Sequence, residues 1–208
     1  MANHSDINEF AVVETFHSLQ GEGFHSGRSA FFIRLAGCSV GCSWCDTKQS
    51  WPEAAHPQRS SGSLALEASQ AIQNGAAFTV ITGGEPLHHD LKPLTTALKH
   101  ATHSPIHLET SGVDPLSGCL DWITLSPKPH HPPRRDVLLR CDELKVIVHT
   151  ATDLQFAEAM TANISERTVL LLQPGWNSNS GQALVVDYVK HHPQWRLSLQ
   201  THKWLGVR

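Results

Sequence analysis

Apolar runs with a two-residue period alternate along this chain with stretches of helical period, and turn residues separate them. FAVVETF at 10–16 and AFFIRLAG at 30–37 predict strands; the second is apolar on both faces apart from Arg34, as in a buried parallel strand. HSLQGEGFHSGRS between them, with glycines at 21, 23 and 27, predicts a loop or tight turn. Residues 46–62 hold two prolines with several serines and glutamines and predict a polar excursion without strong structure. A helix is predicted over 64–74, stopped by Gly75, and then a strand at 77–82 that runs into GGEP. Asp90 predicts the cap of a helix at 91–101, where Pro93 falls in the tolerant first turn. Strands follow at 106–110, 121–126 and 143–148, and Thr152 with Gln155 predicts a capping box for a helix at 153–162. A strand at 168–173, a helix at 182–191 and a strand at 195–200 complete the order.

Strands alternating with helices at this interval predict a parallel α/β protein with right-handed crossovers. No internal repeat and no long linker divides the 208 residues, so one domain over 1–208 is expected. GGEP, ETSG, SPK and QPGW each follow a strand, the end at which α/β sheets and barrels carry ligand sites. These motifs are expected to surround one mouth, with the loop after the 30–37 strand opening onto it.

Composition narrows the function. Hydrophobic content of 40% and charge of 17% are globular values. A net charge of −3 gives no basic face for a phosphate backbone, so nucleic acid is not expected as a partner. No apolar run reaches the ~18–20 residues of a membrane span. MANHSDINEF lacks a basic n-region and an apolar h-region, so no signal peptide is expected. The cysteine usage points to a reducing compartment, the cytoplasm. Of the 15 histidines, His88–His89, His130–His131 and His191–His192 are adjacent pairs, which diverge and rarely chelate one metal. Pro105 interrupts His100, His103 and His107, and the histidines are read as solvated. Cys119 and Cys141 lack a partner at ligand spacing and are read as packing residues.

The remaining three cysteines change the picture. Gly37 to Asp46 reads GCSVGCSWCD, placing Cys38, Cys42 and Cys45 in the spacing CxxxCxxC. A closed structural zinc site takes four protein ligands. Three thiolates suit three irons of a four-iron cube and leave the fourth iron open to a ligand. A zinc-binding module without catalysis is the rival from another class. Gly37, Ser39, Gly41 and Ser43 let the backbone wrap a cube corner and point amides at its sulfides. Trp44 would shield a cluster, lie on a flat ligand, or simply fill core space. Gly83-Gly84 after an apolar strand lets the backbone approach a ligand without a Cβ in the way.

SLQGEG (18–23), FIRLAGCSVGCSWCDT (32–47), ITGGEP (81–86), LETSG (108–112), SPK (126–128), ELK (143–145), QP (173–174) and HKWLG (202–206) together resemble the 7-carboxy-7-deazaguanine synthase family of the radical S-adenosylmethionine superfamily. The resemblance implies an incomplete (β/α)6-type barrel of about six parallel strands, as a homodimer. It implies a lyase that cleaves S-adenosylmethionine reductively at a [4Fe-4S] cluster. Hydrogen is then taken from C6 of 6-carboxy-5,6,7,8-tetrahydropterin, and ring contraction with loss of ammonia gives 7-carboxy-7-deazaguanine for queuosine biosynthesis. An electron donor such as a flavodoxin is implied as a partner. The nearest rival is a small radical activase of a glycyl-radical enzyme, which would need no pterin pocket.

Carried over by motif, Cys38, Cys42 and Cys45 ligate the cluster and Thr47 a Mg²⁺ ion bridging protein and substrate. Trp44, Asp46, Gly84, Ser126, Pro127, Lys128, Gln173, Pro174 and Gly175 become S-adenosylmethionine contacts, with a solvated cation as the competing reading of Lys128. Leu19, Gln20, Gly21, Glu22, Arg34 and Thr82 become substrate contacts, and Glu109 and His202 catalytic groups. Arg34 is costly to bury without an anion. Its fork suits the substrate carboxylate, and an ion pair with Glu22 or Glu109 is the competing reading. Where the family commonly ends HKxxGxP, this chain reads HKWLGVR, with Arg208 in the place of the proline.

Overall fold

The computed structural model describes residues 8–208. Most of MANHSDINEF, on which the signal-peptide reading rests, lies outside the described residues. Among those described, no helix is long and apolar enough to cross a membrane. The chain divides into two compact units.

One unit gathers the chain up to Ser18 with Ser29–Glu109 and Leu116–Asp121. Its strands lie in the order β3-β1-β2-β4-β5, with β1 Glu9–Leu19, β2 Ser29–Leu35, β3 Gln58–Ser60, β4 Thr79–Gly83 and β5 Ile106–Thr110. β2, β4 and β5 run parallel, and β3 pairs antiparallel with β1 at the edge. Because side chains alternate between faces, the register decides what each face offers. Ile33, Ile81 and Leu108 lie side by side and are fully buried. The neighbouring rung, Phe32 and Val80, joins Ala30 and Phe78 in an apolar cluster against which Phe16 packs. Helices α1 (Ser61–Gln73) and α2 (Lys92–Thr102) contact one another and bury Leu64, Leu94 and Leu98 completely. Each such leucine contributes roughly 1.5–3 kcal/mol.

The other unit comprises Leu19–Arg28, Thr110–Pro115 and Trp122–Arg208. Its strands β6 (Trp122–Leu125), β7 (Glu143–Val148), β8 (Val169–Pro174) and β9 (Trp195–Leu197) lie in that order, all parallel. The helices are α3 (Arg135–Leu138), α4 (Ala151–Thr161), α5 (Asn179–His191) and α6 (Thr201–Leu205). The class is therefore α/β with mostly parallel strands in open sheets, as the periodicity predicts.

Departures from the predicted elements have local causes. The 46–62 excursion holds two 3₁₀ turns, Lys48–Ser50 and Glu53–Ala55, and the three-residue strand β3, all too short to leave a period. α1 starts earlier than predicted because Ser60 caps it, accepting from the Ser63 amide at 3.2 Å. α5 likewise begins after Ser178, which accepts from the Gly181 amide. The capping box of α4 is Thr150 with Asp153, not Thr152 with Gln155: the Asp153 carboxylate takes the amides of His149 and Thr150 at 2.9 and 2.8 Å. Asp90 accepts from the Lys92 amide at 3.0 Å, one position before the helix-flanking Leu91.

Two side-chain readings are also corrected. Cys119 is exposed and is no packing residue, whereas Cys141 is buried and its thiol is pushed up to about 12 by desolvation. His107 is buried rather than solvated, its ring stacked on Phe78 with centroids 4.1 Å apart.

Candidate active site

In the first unit, β2 and β4 are neighbours and parallel, so the segments leaving their carboxyl ends meet. The Gly84 amide donates to the Leu35 carbonyl at 3.0 Å and the Glu85 amide to that of Gly37 at 2.8 Å. A Cβ on Gly84 would overlap the Gly37 carbonyl oxygen and come within 2.8 Å of the Cys38 Cβ. The GGEP turn thus lies directly against the cysteine loop, and glycine is required there by contact. Glu85 is buried and accepts from the Leu87 amide at 3.1 Å, which stiffens the turn.

The loop itself turns at Gly37 and Gly41, with φ of +100° and +71°, values that L side chains adopt poorly. The Gly37 amide donates to the Ser50 carbonyl at 2.8 Å, tying the loop to the turn that follows it. Burial pushes the Cys38 thiol up, while the amides of Val40 and Gly41 donate to it and oppose that shift. Cys45 Sγ lies 3.6 Å from Thr47 Oγ1. Trp44 is 43% exposed, which removes core packing as its role, and Asp46 is also exposed. His89 Nε2 donates to the Ala36 carbonyl at 2.7 Å, just before the loop.

Among the described residues no three His, Cys, Asp or Glu converge on the position of a single metal ion. A cube asks for something else, because each thiolate meets its own iron. Three thiols on one small-residue loop, with amides aimed at a sulfur, are the donor set and surroundings that such a cluster takes. The residues present fit it.

A polar rung crosses the same unit above the apolar one. Arg34 pairs in register with Thr82, and Glu109 follows Leu108, the last β5 residue registered with β4. Arg34 Nε donates to Glu14 Oε1 at 3.0 Å, and its guanidinium sits 5.9 Å from the Phe16 ring centroid. The internal partner of Arg34 is therefore Glu14, neither Glu22 nor Glu109. Among the described residues no hydrogen bond reaches its Nη atoms.

In the second unit, the Leu19–Arg28 segment is held by side chains. Glu22 accepts from Lys145 Nζ at 2.7 Å, Gln200 Nε2 at 2.9 Å and Gln173 Nε2 at 3.1 Å. Burial alone would raise its pKa, but the Lys145 ammonium and these donors win and hold it at about 2. Glu22 is thus a hub of the fold, and Gln20 Oε1 in turn accepts from its amide at 3.1 Å. Gln173 is 1% exposed, with Oε1 taking the Ser198 hydroxyl at 2.7 Å, so both ends of its amide are committed within the unit. The Gly21 carbonyl accepts from the amide and hydroxyl of Thr201, and a Cβ on Gly21 would overlap the His202 ring. Two residues predicted from distant motifs are therefore in contact. Lys128 folds back onto Ser126, donating to its carbonyl at 2.8 Å and hydroxyl at 2.7 Å, and is no solvated cation. Lys145, Ser198, Gln200 and Glu14 were not among the predicted site residues. Lys145 carried the same signal as Arg34: a cation inside an apolar strand.

Comparison with known proteins bears on this arrangement. No family model matches the chain. It is 54% identical over 218 residues to the 7-carboxy-7-deazaguanine synthase of Prochlorococcus marinus, covering 94% of this chain and 97% of that protein. The chain belongs to the 7-carboxy-7-deazaguanine synthase family. The synthase of Synechocystis sp. is 49% identical, with coverage of 96% and 94%. The crystal structure of QueE from Escherichia coli superposes with a TM-score of 0.80 at 33% identity, covering 93% of this chain and 95% of that one. Family membership makes this chain a radical S-adenosylmethionine enzyme that works with an iron–sulfur cluster. It sets aside the activase and zinc-module alternatives.

Proposed function

We propose that this chain converts 6-carboxy-5,6,7,8-tetrahydropterin to 7-carboxy-7-deazaguanine with loss of ammonia, in queuosine biosynthesis. The 54% identity over nearly both full lengths carries the reading. When bound, the cluster and S-adenosylmethionine supply one-electron cleavage to a carbon radical that takes hydrogen from the substrate. Cys38, Cys42 and Cys45 would hold the cluster through their thiolates. Gly84 with Trp44 and Asp46, the 126–128 turn and the 173–175 strand end orient S-adenosylmethionine. Gln173 contributes through its backbone, since its side chain is occupied.

Arg34 binds the substrate carboxylate through its Nη edge while Glu14 fixes Nε. Thr82, Leu19, Gln20 and Gly21 line the pterin, and Glu22 supports them. Glu109 and His202 hold and move protons on the ring. Thr47 would offer a hydroxyl oxygen to Mg²⁺, a cation that takes oxygen ligands. The chain acts as one radical S-adenosylmethionine core domain, as a homodimer in the cytoplasm, reduced by a flavodoxin-like donor.

Anaerobically reconstituted enzyme given a reductant, S-adenosylmethionine, Mg²⁺ and the carboxytetrahydropterin is expected to release 7-carboxy-7-deazaguanine. Formation of 5′-deoxyadenosine without the deazaguanine would refute the substrate and leave the chemistry standing. A cluster signal indifferent to S-adenosylmethionine would refute both.

A further inference from the structure

Lys145 is 3% exposed on β7, an ammonium removed from water, and no step proposed above uses it. Breaking even and no more is common for a buried ion pair, so stability is a weak reason for one. Its location supplies a better one. Lys145 Nζ meets Glu22 Oε2 at 2.7 Å, and the same oxygen takes Gln173 Nε2. The Glu22 amide binds Gln20 Oε1, so the rotamer of Gln20 is tied to the backbone that Lys145 anchors.

We propose that Lys145 is a positioning residue for the pterin: by holding Glu22 it fixes the 19–21 segment that meets the substrate. This rests on the substrate role proposed above for those residues. Past Leu19 the main-chain pairing ends at Gln20, whose amide donates to the Arg28 carbonyl at 2.8 Å and whose carbonyl accepts from the Gly27 amide at 2.7 Å, and the stretch from Gly21 to Phe24 lies in no strand. It is held by the Glu22 carboxylate, by the Gly23 amide on Ser198, by the Phe24 amide on Glu143 and by Thr201 on the Gly21 carbonyl. The 173–174 main chain, by contrast, is paired residue by residue with β7, Ile147 with Gln173 and Val148 with Pro174. Losing the ammonium therefore loosens the pterin side and leaves the β8 end in place.

The test uses anaerobically reconstituted holoenzyme carrying Lys145→Met, Glu22→Gln, or both. Affinities for the carboxytetrahydropterin and for S-adenosylmethionine are measured by calorimetry beside the Tm of each protein. Lys145→Met is expected to weaken pterin binding at least tenfold and S-adenosylmethionine binding less than twofold. The double variant leaves no lone charge buried, so its Tm recovers while the pterin loss persists. Should Lys145→Met fail to fold, the double variant carries the same comparison. Recovery of pterin affinity together with Tm would make the pair merely structural and overturn the proposal. Unchanged pterin affinity in Lys145→Met overturns it alone. Wild-type enzyme that binds S-adenosylmethionine but no pterin overturns the functional reading, and this one with it.

Discussion

The cysteine loop at 37–47 and the Leu19–Arg28 segment are both glycine-bearing turns that leave a strand, yet their polar groups are settled in opposite ways. The cysteine loop is anchored by main-chain bonds at its root, Gly37 to Ser50 and Glu85 to Gly37, while Gly41, Ser43, Trp44 and Asp46 face water. Its Cys38 thiol takes amides from its own loop, those of Val40 and Gly41. The Leu19–Arg28 segment does the reverse. Its one carboxylate, partly buried, is shared among Lys145, Gln173 and Gln200, and its carbonyl at Gly21 is taken by Thr201. A loop that receives a cofactor must keep its ligand atoms available, whereas a segment that orients a substrate gains from spending its polar groups on the scaffold.

The sharpest way to break this contrast is at Cys45. Cys45→Ser is expected to abolish cluster incorporation and reduce product formation to background. The apoprotein should change by less than about 0.5 kcal/mol, the range of substitutions that remove no buried packing or bond. Iron content and denaturant melts on the same preparation check both halves; a large loss of apoprotein stability would show that the loop's thiols do hold the fold.

Acid should act on the other region. The Glu22 carboxyl is held at about 2 against an ordinary 4.5, so its ionised form stabilises the fold. That contribution is complete above about pH 4.5 and disappears as pH falls toward about 2, removing about 3 kcal/mol. Denaturant melts from neutral pH into acid should show the loss in the wild type and not in Glu22→Gln. Equal acid sensitivity in both would place the effect elsewhere.

Gly84→Ala gives the smallest change expected. Its Cβ must displace the Gly37 carbonyl or Cys38, a local overpacking worth about 2 kcal/mol. Cluster loading should fall with stability, because the displaced atoms belong to the loop that carries the ligands. Full loading at reduced stability would mean the loop tolerates the shift.

Local signals on the chain reached far in one direction. The strands at 143–148 and 106–110 have the bounds the pattern predicts, because each is a short apolar run bracketed by turn residues. CxxxCxxC and GGEP were legible because ligand spacing is a property of neighbours along the chain. The capping box of α4 lies two residues before the predicted one, since Thr150 and Thr152 both satisfy a pattern that only the helix phase separates. Nothing along the chain marked β3, whose three residues exist as a strand only through Glu9, Phe10 and Ala11.

The sequence by itself determined the α/β class, the order of the main elements, the thiol loop and the family, because periodicity, turn chemistry and motif spacing are written within a few residues of one another. Tertiary structure alone decided who meets whom. Arg34 could have paired with any of several carboxylates, and the β1–β2 hairpin assigned it to Glu14. Nothing near Glu22 along the chain names its partners, and strands more than a hundred residues downstream supply Lys145 and Gln173. Charges choose partners by distance and burial, which register and packing set, and which no local pattern encodes.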